Sequence, residues 1–161
     1  MSYDCVTIDN DLIRFENHYK ISEQESVNII IYYKGIRDYS LLFPTIISAN
    51  QSLALRLGLF YEEAEKSFEN SAWLSYVLNC GAIFEGLLFH KLNANEYAKF
   101  NDLIKTALEG DFINTETAQI MHNAREKRNL IHAGRYTDPF ITRLEAMDIM
   151  KVMDNVILNF R

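Results

Sequence analysis

Apolar residues recur every three or four positions along most of the chain after residue 44, which is the spacing of one face of an α-helix. The first such stripe contains Ile46, Ala49, Leu53, Leu57, Phe60, Ala64 and Phe68. Pro44 suits the first turn of a helix, where a missing N–H group costs no intrahelical hydrogen bond. The pattern predicts a helix over residues 44–68, with Gly58 as a point at which it can be interrupted.

The most apolar stretch of the chain, residues 71–92, predicts the central helix of a bundle. One broad stripe contains Trp73, Tyr76, Val77, Cys80, Phe84, Leu87 and Leu88, and a second contains Leu74, Leu78 and Phe89. A helix that is apolar on most of its sides is expected to be surrounded by other helices. A narrow strip of smaller residues, at which a neighbouring backbone can approach closely, contains Ser75, Asn79, Ala82 and Gly86.

Capping residues predict where the later helices begin and end. Asn93 is expected to be an N-cap, because Glu96 follows it three residues later as in a capping box. Gly110 is expected to end that helix. A further helix is predicted over residues 115–132, before Gly134.

The last helix is predicted to open at Asp138 and Pro139, a cap followed by proline at the first helical position. Its apolar stripe contains Ala146, Ile149, Met150, Met153, Val156, Ile157 and Phe160. The low number of turn residues, 6 Gly and 2 Pro, fits a helical chain better than a β-sandwich.

These elements predict an all-α fold, an antiparallel bundle of about five to six helices. We expect residues 41–161 to form the bundle and residues 1–40 to form an N-terminal segment that packs on it. In that segment, Ser22 begins a capping-box pattern that favours a helix over residues 23–34. Residues 29–33 have strand propensity and argue the other way.

The chain is acidic, with 16 Lys and Arg against 22 Asp and Glu, and a net charge of −6. Its overall field therefore disfavours binding to a nucleic-acid backbone or to an anionic membrane. The start of the chain lacks the pattern of a signal peptide, and Glu85 interrupts the longest apolar segment. The two cysteines form no disulfide framework, and the chain carries no metal-binding or cofactor motif. We expect a cytoplasmic protein without a metal, a cofactor or a membrane span.

One strongly basic segment, residues 121–136, stands out in this acidic chain. It holds four Arg and Lys against Glu126 alone, a charge of +3 that leaves −9 for the rest. At about 100° per residue, Arg125, Arg128 and His132 share one face of a helix, flanked by Asn129. The residues expected to face the bundle instead are Ile120, Ala124, Leu130 and Ile131.

The residue types on this face suit chemistry on a phosphodiester. Guanidinium groups match phosphate oxygens, and an imidazole can give or take a proton near neutral pH. His132 could deprotonate a ribose 2′-hydroxyl or protonate the leaving oxygen, while an arginine stabilises the charge on phosphate. The segment therefore favours metal-independent cleavage of RNA as one hypothesis. Glu85, at the edge of the central apolar stripe, is expected to orient Arg125 or Arg128.

The stretch REKRNLIHAGR, together with the preceding SYVLNCGAIFEGLLFHKL, resembles the HEPN superfamily, the higher-eukaryote and prokaryote nucleotide-binding helical domains. In many members an arginine, followed by a polar residue, precedes a histidine by four to six positions. Here three residues lie between Arg128, which is followed by the polar Asn129, and His132. Six residues lie between Arg125 and His132, but Arg125 is followed by Glu126.

The resemblance, over roughly residues 71–160, implies a helical bundle that dimerises, with the arginine and histidine of each subunit facing a shared cleft. It implies Arg128, Asn129 and His132 as catalytic residues of a toxin or defence RNase, with Arg125 and Arg135 as substrate-binding residues. The implied partners are a second copy, RNA or a nucleotide, and an antitoxin-like protein.

Other interpretations of the basic segment stay open at this point. Arginine and histidine near the end of a helix also stabilise its dipole, so their role could be structural or at a dimer interface. Members of the same family include catalytically inactive binding partners and scaffolds. Nucleotide binding without cleavage and a DNA-binding helical module are further alternatives, the latter disfavoured by the charge of −9 elsewhere.

Overall fold

The computed structural model describes the backbone of two strands, Cys5–Asp9 and Leu12–Glu16, and residues 38–160. Its contacts divide the chain into two units, Met1–Gly35 and Ile36–Arg161, so that the boundary lies five residues before the one expected from the sequence. The helix predicted over residues 23–34 lies outside the described residues.

The described part of the first unit is an antiparallel β-hairpin. Strand β1 (Cys5–Asp9) pairs with β2 (Leu12–Glu16), with Cys5 opposite Glu16 and Asp9 opposite Leu12. The strands are rich in Val, Ile, Thr and Phe, residues that favour extended backbone. Residues 1–20 show no clear hydrophobic period, so the hairpin was not predicted from the sequence.

The second unit is a helical bundle. Its described residues contain six α-helices: α1 (Pro44–Ala49), α2 (Gln51–Glu69), α3 (Trp73–Lys91), α4 (Phe100–Glu109), α5 (Thr115–Lys127) and α6 (Arg143–Asn159). Three short 3₁₀ helices span Tyr39–Leu42, Arg128–Ile131 and Ala133–Arg135. The predicted all-α bundle is therefore confirmed for this unit. None of the described helices has the length and apolar character needed to cross a bilayer.

Helix α3 is the central helix, as its apolar character predicts. It packs against α2, α4, α5 and α6. Its buried side chains are Tyr76, Val77, Cys80, Ile83, Phe84, Leu87 and Leu88. Burying such side chains stabilises the fold by about 1.5–3 kcal/mol each relative to exposure, so α3 is the element around which the bundle is organised.

Helices α2 and α3 run antiparallel across a short turn. Near the turn the hydroxyl groups of Ser67 and Ser75 lie 3.0 Å apart. At the far end of the pair, a Cβ atom on Gly86 would lie only 2.5 Å from Cδ2 of Leu57. The close approach predicted for the strip of small residues thus occurs at Gly86, with a side chain rather than a backbone.

Helices α3 and α5 run in the same direction, which places the end of α5 beside the end of α3. Gly81 faces Ala124, and one turn further along Glu85 contacts Arg128, an offset of 43 residues in both cases. This parallel pair is consistent with the predicted antiparallel bundle, because helices two apart along the chain share a direction when consecutive helices alternate. It arises because α4 lies between the two helices in sequence and returns the chain to the starting end of α3.

The boundaries predicted before α2, α4 and α6 are wrong, and each has a local cause. The break in the first predicted helix is at Asn50, which ends α1 and caps α2 by accepting a hydrogen bond from the N–H of Leu53. Gly58 lies within α2, where a Cβ atom would be 2.7 Å from the backbone N of Ser40. The glycine thus permits a close approach and does not interrupt the helix.

Asn93 is not an N-cap but the residue that follows the end of α3. It takes a left-handed conformation, with φ of 47°, and the N–H of Ala94 donates to the carbonyl of Phe89. This is the C-terminal use of asparagine, whose short polar side chain tolerates that conformation. Helix α4 begins seven residues later, at Phe100, and ends before Gly110 as predicted.

The last helix begins at Arg143, not at Asp138 and Pro139. Its cap is Thr142, whose side chain accepts from the N–H of Glu145 while the Glu145 carboxylate accepts from the N–H of Thr142. This complete capping box gives hydrogen-bond acceptors to two backbone N–H groups that have no partner within the helix. The helix therefore begins after Thr142 and not at the Asp-Pro pair. The end of α5 and the segment that connects it to this cap carry the candidate site.

Candidate functional site

The basic segment begins as α-helix and ends as a tighter turn. Helix α5 stops at Lys127, the chain continues as the 3₁₀ helix Arg128–Ile131, and His132 is extended, with φ of −84° and ψ of 128°. The N–H of His132 donates to the carbonyl of Asn129 at 3.1 Å. A single helix over residues 115–132 is therefore wrong beyond Lys127, because a 3₁₀ turn satisfies the carbonyls that an α-helix leaves unpaired at its end.

Despite the change of helix type, the predicted face stays together. Arg125, Arg128, Asn129, Ile131 and His132 line one cavity of about 270 Å³ at the end of α5. Arg128, Asn129 and His132 are exposed, and Arg125 is partly buried. The structure thus brings together the three residues predicted to be catalytic, with one of the two predicted to bind substrate, at an accessible surface.

Arg135, the second predicted substrate-binding residue, does not line this cavity. It lies in the 3₁₀ helix Ala133–Arg135, and its Nη1 is 3.5 Å from Oδ2 of Asp138. Helix α5 ends at Lys127, so helical spacing does not give the position of Arg135 relative to His132.

Glu85, on the central helix α3, forms an ion pair with Arg128. Its Oε2 accepts a hydrogen bond from Nη1 of Arg128 at 3.2 Å. The side chains are 36% and 48% exposed, so the ion pair lies at the rim of the bundle, within reach of solvent. The pairing of Glu85 with a cation of the basic segment, expected from the sequence, is confirmed for Arg128.

Arg125 retains an unused donor inside the site. Its Nη2 is 3.5 Å from Oε1 of Glu126, while its Nε is buried and makes no hydrogen bond within the described residues. An unpaired buried donor costs about 1–3 kcal/mol, so this position favours an acceptor. An anionic oxygen in the cavity would find donors on Arg125 and Arg128.

Lys127 points away from the cavity and fixes the start of the next helix. Its Nζ lies 2.8 Å from Oε1 of Glu145 at the beginning of α6. The hydrogen bond from Lys127, and then that from the N–H of Thr142, hold the pKa of the Glu145 carboxyl below its usual value. The segment that carries the site is therefore anchored at both ends.

Ile131 was expected to face the bundle, but it lines the cavity and is 60% exposed. The change to a 3₁₀ helix rotates it away from the core, since each 3₁₀ residue turns by about 120° instead of 100°. Further large apolar side chains that are exposed in the following segment are Tyr136, Phe140 and Leu144. Exposed apolar side chains thus follow the cavity residues along the chain, a feature that the apolar pattern did not predict.

The site's chemistry can be stated from its side chains alone. It offers two guanidinium groups for anions, one imidazole for proton transfer and one amide for orientation. Among the described residues, no three His, Cys, Asp or Glu side chains are grouped to hold a metal ion.

Comparison of the chain with models of known families, with curated proteins and with solved structures gives no match.

Proposed function

We propose that this protein is a HEPN-like, metal-independent endoribonuclease of a toxin or defence system, and that it cleaves single-stranded RNA at the cavity at the end of α5. One observation carries the proposal: Arg125, Arg128 and His132 line the same accessible cavity. Two guanidinium groups beside an imidazole provide both a phosphate site and a proton acceptor. The resemblance of the RNLIH segment to the HEPN motif supports the same reaction.

The reaction needs one base and one group that stabilises charge. His132 takes the proton of a ribose 2′-hydroxyl, and the 2′-oxygen forms a bond to phosphorus while the bond from phosphorus to the 5′-oxygen breaks. The leaving 5′-oxygen takes a proton from water, and His132 returns its own to solvent. Arg128 stabilises the negative charge that develops on the non-bridging oxygens. The products are a 2′,3′-cyclic phosphate and a 5′-hydroxyl.

The neighbouring residues have supporting roles in this proposal. Glu85 fixes the guanidinium plane of Arg128 from the side of α3. The guanidinium group of Arg125, which lines the same cavity, donates to a second phosphate oxygen. Asn129 contacts a base or the imidazole, and Arg135, outside the cavity, binds a phosphate further along the strand.

The experiment compares two histidines of the same segment. Wild type, His132→Ala and His122→Ala are incubated with a single-stranded RNA in the presence of a chelator. His122 lies on α5 but outside the cavity, so it is a matched control. The proposal predicts cleavage by wild type and by the His122 variant, and none by the His132 variant, with all three melting temperatures nearly equal.

We propose further that the active form is a homodimer that meets at the apolar surface beside the site. Four of the eleven exposed large apolar side chains among the described residues lie between residues 131 and 144, namely Ile131, Tyr136, Phe140 and Leu144. A contiguous exposed apolar patch marks an interaction surface, and the proposal requires these four side chains to form one. Sedimentation equilibrium should give a dimer that Ile131→Asp dissociates and the equally exposed control Leu59→Asp does not.

The second candidate function is a catalytically inactive, dimeric binding or scaffold protein. The ion pair between Arg128 and Glu85 favours it, because a neutralised arginine contributes less to binding an anion. In that case wild type leaves RNA intact, and His132→Ala weakens the dimer or the fold instead. Either function fits a cytoplasmic protein whose partner is a second copy or an antitoxin-like protein.

A further inference from the structure

A second, larger cavity lies on the opposite face of α5, between α5 and α6. Its volume is about 510 Å³, within the range of roughly 300–1,000 Å³ that small-molecule sites occupy. The α5 residues that line it, Glu116, Ile120, Asn123 and Lys127, recur at helical spacing about 160° away from the stripe of Arg125. The cavity is therefore distinct from the cationic one.

The floor of this cavity is apolar. It is formed by Val77 of α3 together with Ile120, Ile141, Ile149 and Val152. Val77 is fully buried, so the cavity reaches the central helix. Ile120 and Val152 are the partly exposed members of this floor, so an apolar body placed there would displace water mainly from their side chains, which favours binding by about 25 cal/mol per Å².

Both lysines that line this cavity, Lys127 and Lys151, form ion pairs with carboxylates that also line it. Nζ of Lys127 lies 2.8 Å from Glu145, and Nζ of Lys151 lies 2.8 Å from Asp148. Glu145 also accepts two hydrogen bonds from Thr142, so its oxygens are already engaged. These four charged groups neutralise each other and leave little attraction for a charged ligand.

Glu116 is the lining charge without such a partner. In the part of the chain that the structure describes, its carboxylate makes no hydrogen bond or ion pair, and it also lines an adjoining cavity of about 370 Å³. The adjoining cavity shares Lys151 and Val152 with the first and is lined by a second carboxylate, Asp111. The net charge of the joined cavities is negative.

We propose that the groove between α5 and α6 is a binding site for an organic cation with an apolar body. The body lies on the floor of Ile120, Ile149 and Val152, and a protonated amine pairs with Glu116. This complementarity excludes the anionic ligands that the cavity on the other face of α5 attracts. The proposal is independent of RNA cleavage, since it uses none of the residues of the cationic cavity.

The test uses three probes that share a naphthalene body and carry a cationic, a neutral or an anionic side chain. 2-(2-Naphthyl)ethylamine, 2-ethylnaphthalene and 2-naphthylacetate are titrated into the full chain by isothermal titration calorimetry. The amine should bind about tenfold more tightly than the acetate, with the neutral probe between them. Glu116→Gln should weaken amine binding by roughly fivefold, as expected for a partly exposed ion pair. Glu96→Gln, an exposed carboxylate away from the groove, should leave it unchanged.

Filling the groove tests its location. Val152→Trp and Ile120→Trp place an indole on the floor, and either variant that keeps the wild-type circular dichroism should lose binding of the amine. Three results would overturn the proposal: no binding of the amine to wild type, equal binding of amine and acetate, or unchanged amine affinity in Glu116→Gln. Cleavage of RNA uses other residues. A negative result for amine binding would therefore not contradict the proposed nuclease function, and a negative result for RNA cleavage would not contradict the cation site.

Discussion

Nη1 of Arg128 lies 3.2 Å from Oε2 of Glu85, and this ion pair joins the end of α5 to the central helix. The pair exists because α3 and α5 run parallel with a constant offset, so that Gly81 and Ala124 meet one turn earlier. The central helix thus supports the cationic cavity directly. In the proposed nuclease, Glu85 is a positioning residue that acts through Arg128.

Glu85→Gln tests this positioning role. An ion pair with both side chains over a third exposed is worth only about 0.2–1 kcal/mol, so the free energy of unfolding should change little. The guanidinium group should lose its fixed orientation, which lowers kcat for RNA cleavage by about tenfold with KM nearly unchanged.

The matched control for this variant is Glu109→Gln, which removes the exposed pair of Glu109 with Lys105 on α4. It should leave both kcat and stability as in wild type. Equal kcat for Glu85→Gln and wild type would contradict the positioning role.

The capping box of α6 should show in the pH dependence of stability. Because Lys127 and Thr142 lower the pKa of the Glu145 carboxyl below its usual value, this group stabilises the fold at any pH above that usual value. The contribution is lost as the pH falls through the depressed pKa. Glu145→Gln should therefore reduce the unfolding free energy near neutral pH and flatten its dependence on pH below about 5.

Urea denaturation of wild type and Glu145→Gln between pH 3 and 7 measures this effect. Thr142→Ala, which removes the other half of the capping box, should cost about 1 kcal/mol at neutral pH. If the unfolding free energy of Glu145→Gln falls with pH as steeply as that of wild type, other carboxylates are responsible for the loss of stability in acid.

Two glycines on neighbouring helices should respond oppositely to alanine. At Gly58 a Cβ atom would lie 2.7 Å from the backbone N of Ser40, and crowding of this kind costs about 1–3 kcal/mol. At Gly81 the nearest atoms belong to Ala124, at 3.9 and 4.0 Å, which is ordinary contact. Gly81→Ala should raise the unfolding free energy by about 0.5–1 kcal/mol through helix propensity. Equal effects of the two substitutions on the thermal midpoint would contradict this packing.

The thiol of Cys80 should be inert in the folded protein. Burial raises its pKa to about 12, and a thiolate is the reactive form. Iodoacetamide at pH 8 should leave Cys80 unmodified in native protein and alkylate it in urea, as read by mass spectrometry of the peptide that contains it. Rapid alkylation without denaturant would show that α3 opens locally.

The sequence predicted the long helices because their apolar stripes repeat over several turns. Helices α2 and α3 carry such stripes and lie close to the expected positions. The ends of the helices were harder to predict, because the same residue type can occur both before the start of a helix and after its end. Asparagine caps α2 at Asn50, whereas Asn93 follows the end of α3 in a left-handed conformation. The spacing of Thr142 and Glu145 was a readable capping signal that the Asp-Pro pair obscured.

The candidate site was predictable only in part. The grouping of Arg125, Arg128 and His132 follows from helical spacing and remains in the structure. The exposure of Ile131 does not follow, since the change to a 3₁₀ helix depends on how α5 ends in the bundle. The groove at Glu116 depends on the separation of α5 and α6, a distance between elements that no local pattern encodes.

The most direct test of the central claim is the chemical identity of the RNA ends. A single-stranded RNA oligonucleotide is incubated with the full chain in a chelator, and the products are identified by liquid chromatography and mass spectrometry. The proposed mechanism, in which His132 is the base, predicts fragments with a 2′,3′-cyclic phosphate and a 5′-hydroxyl. Wild type should form them, and His132→Ala should not. Intact RNA, or fragments that carry a 5′-phosphate, would contradict it.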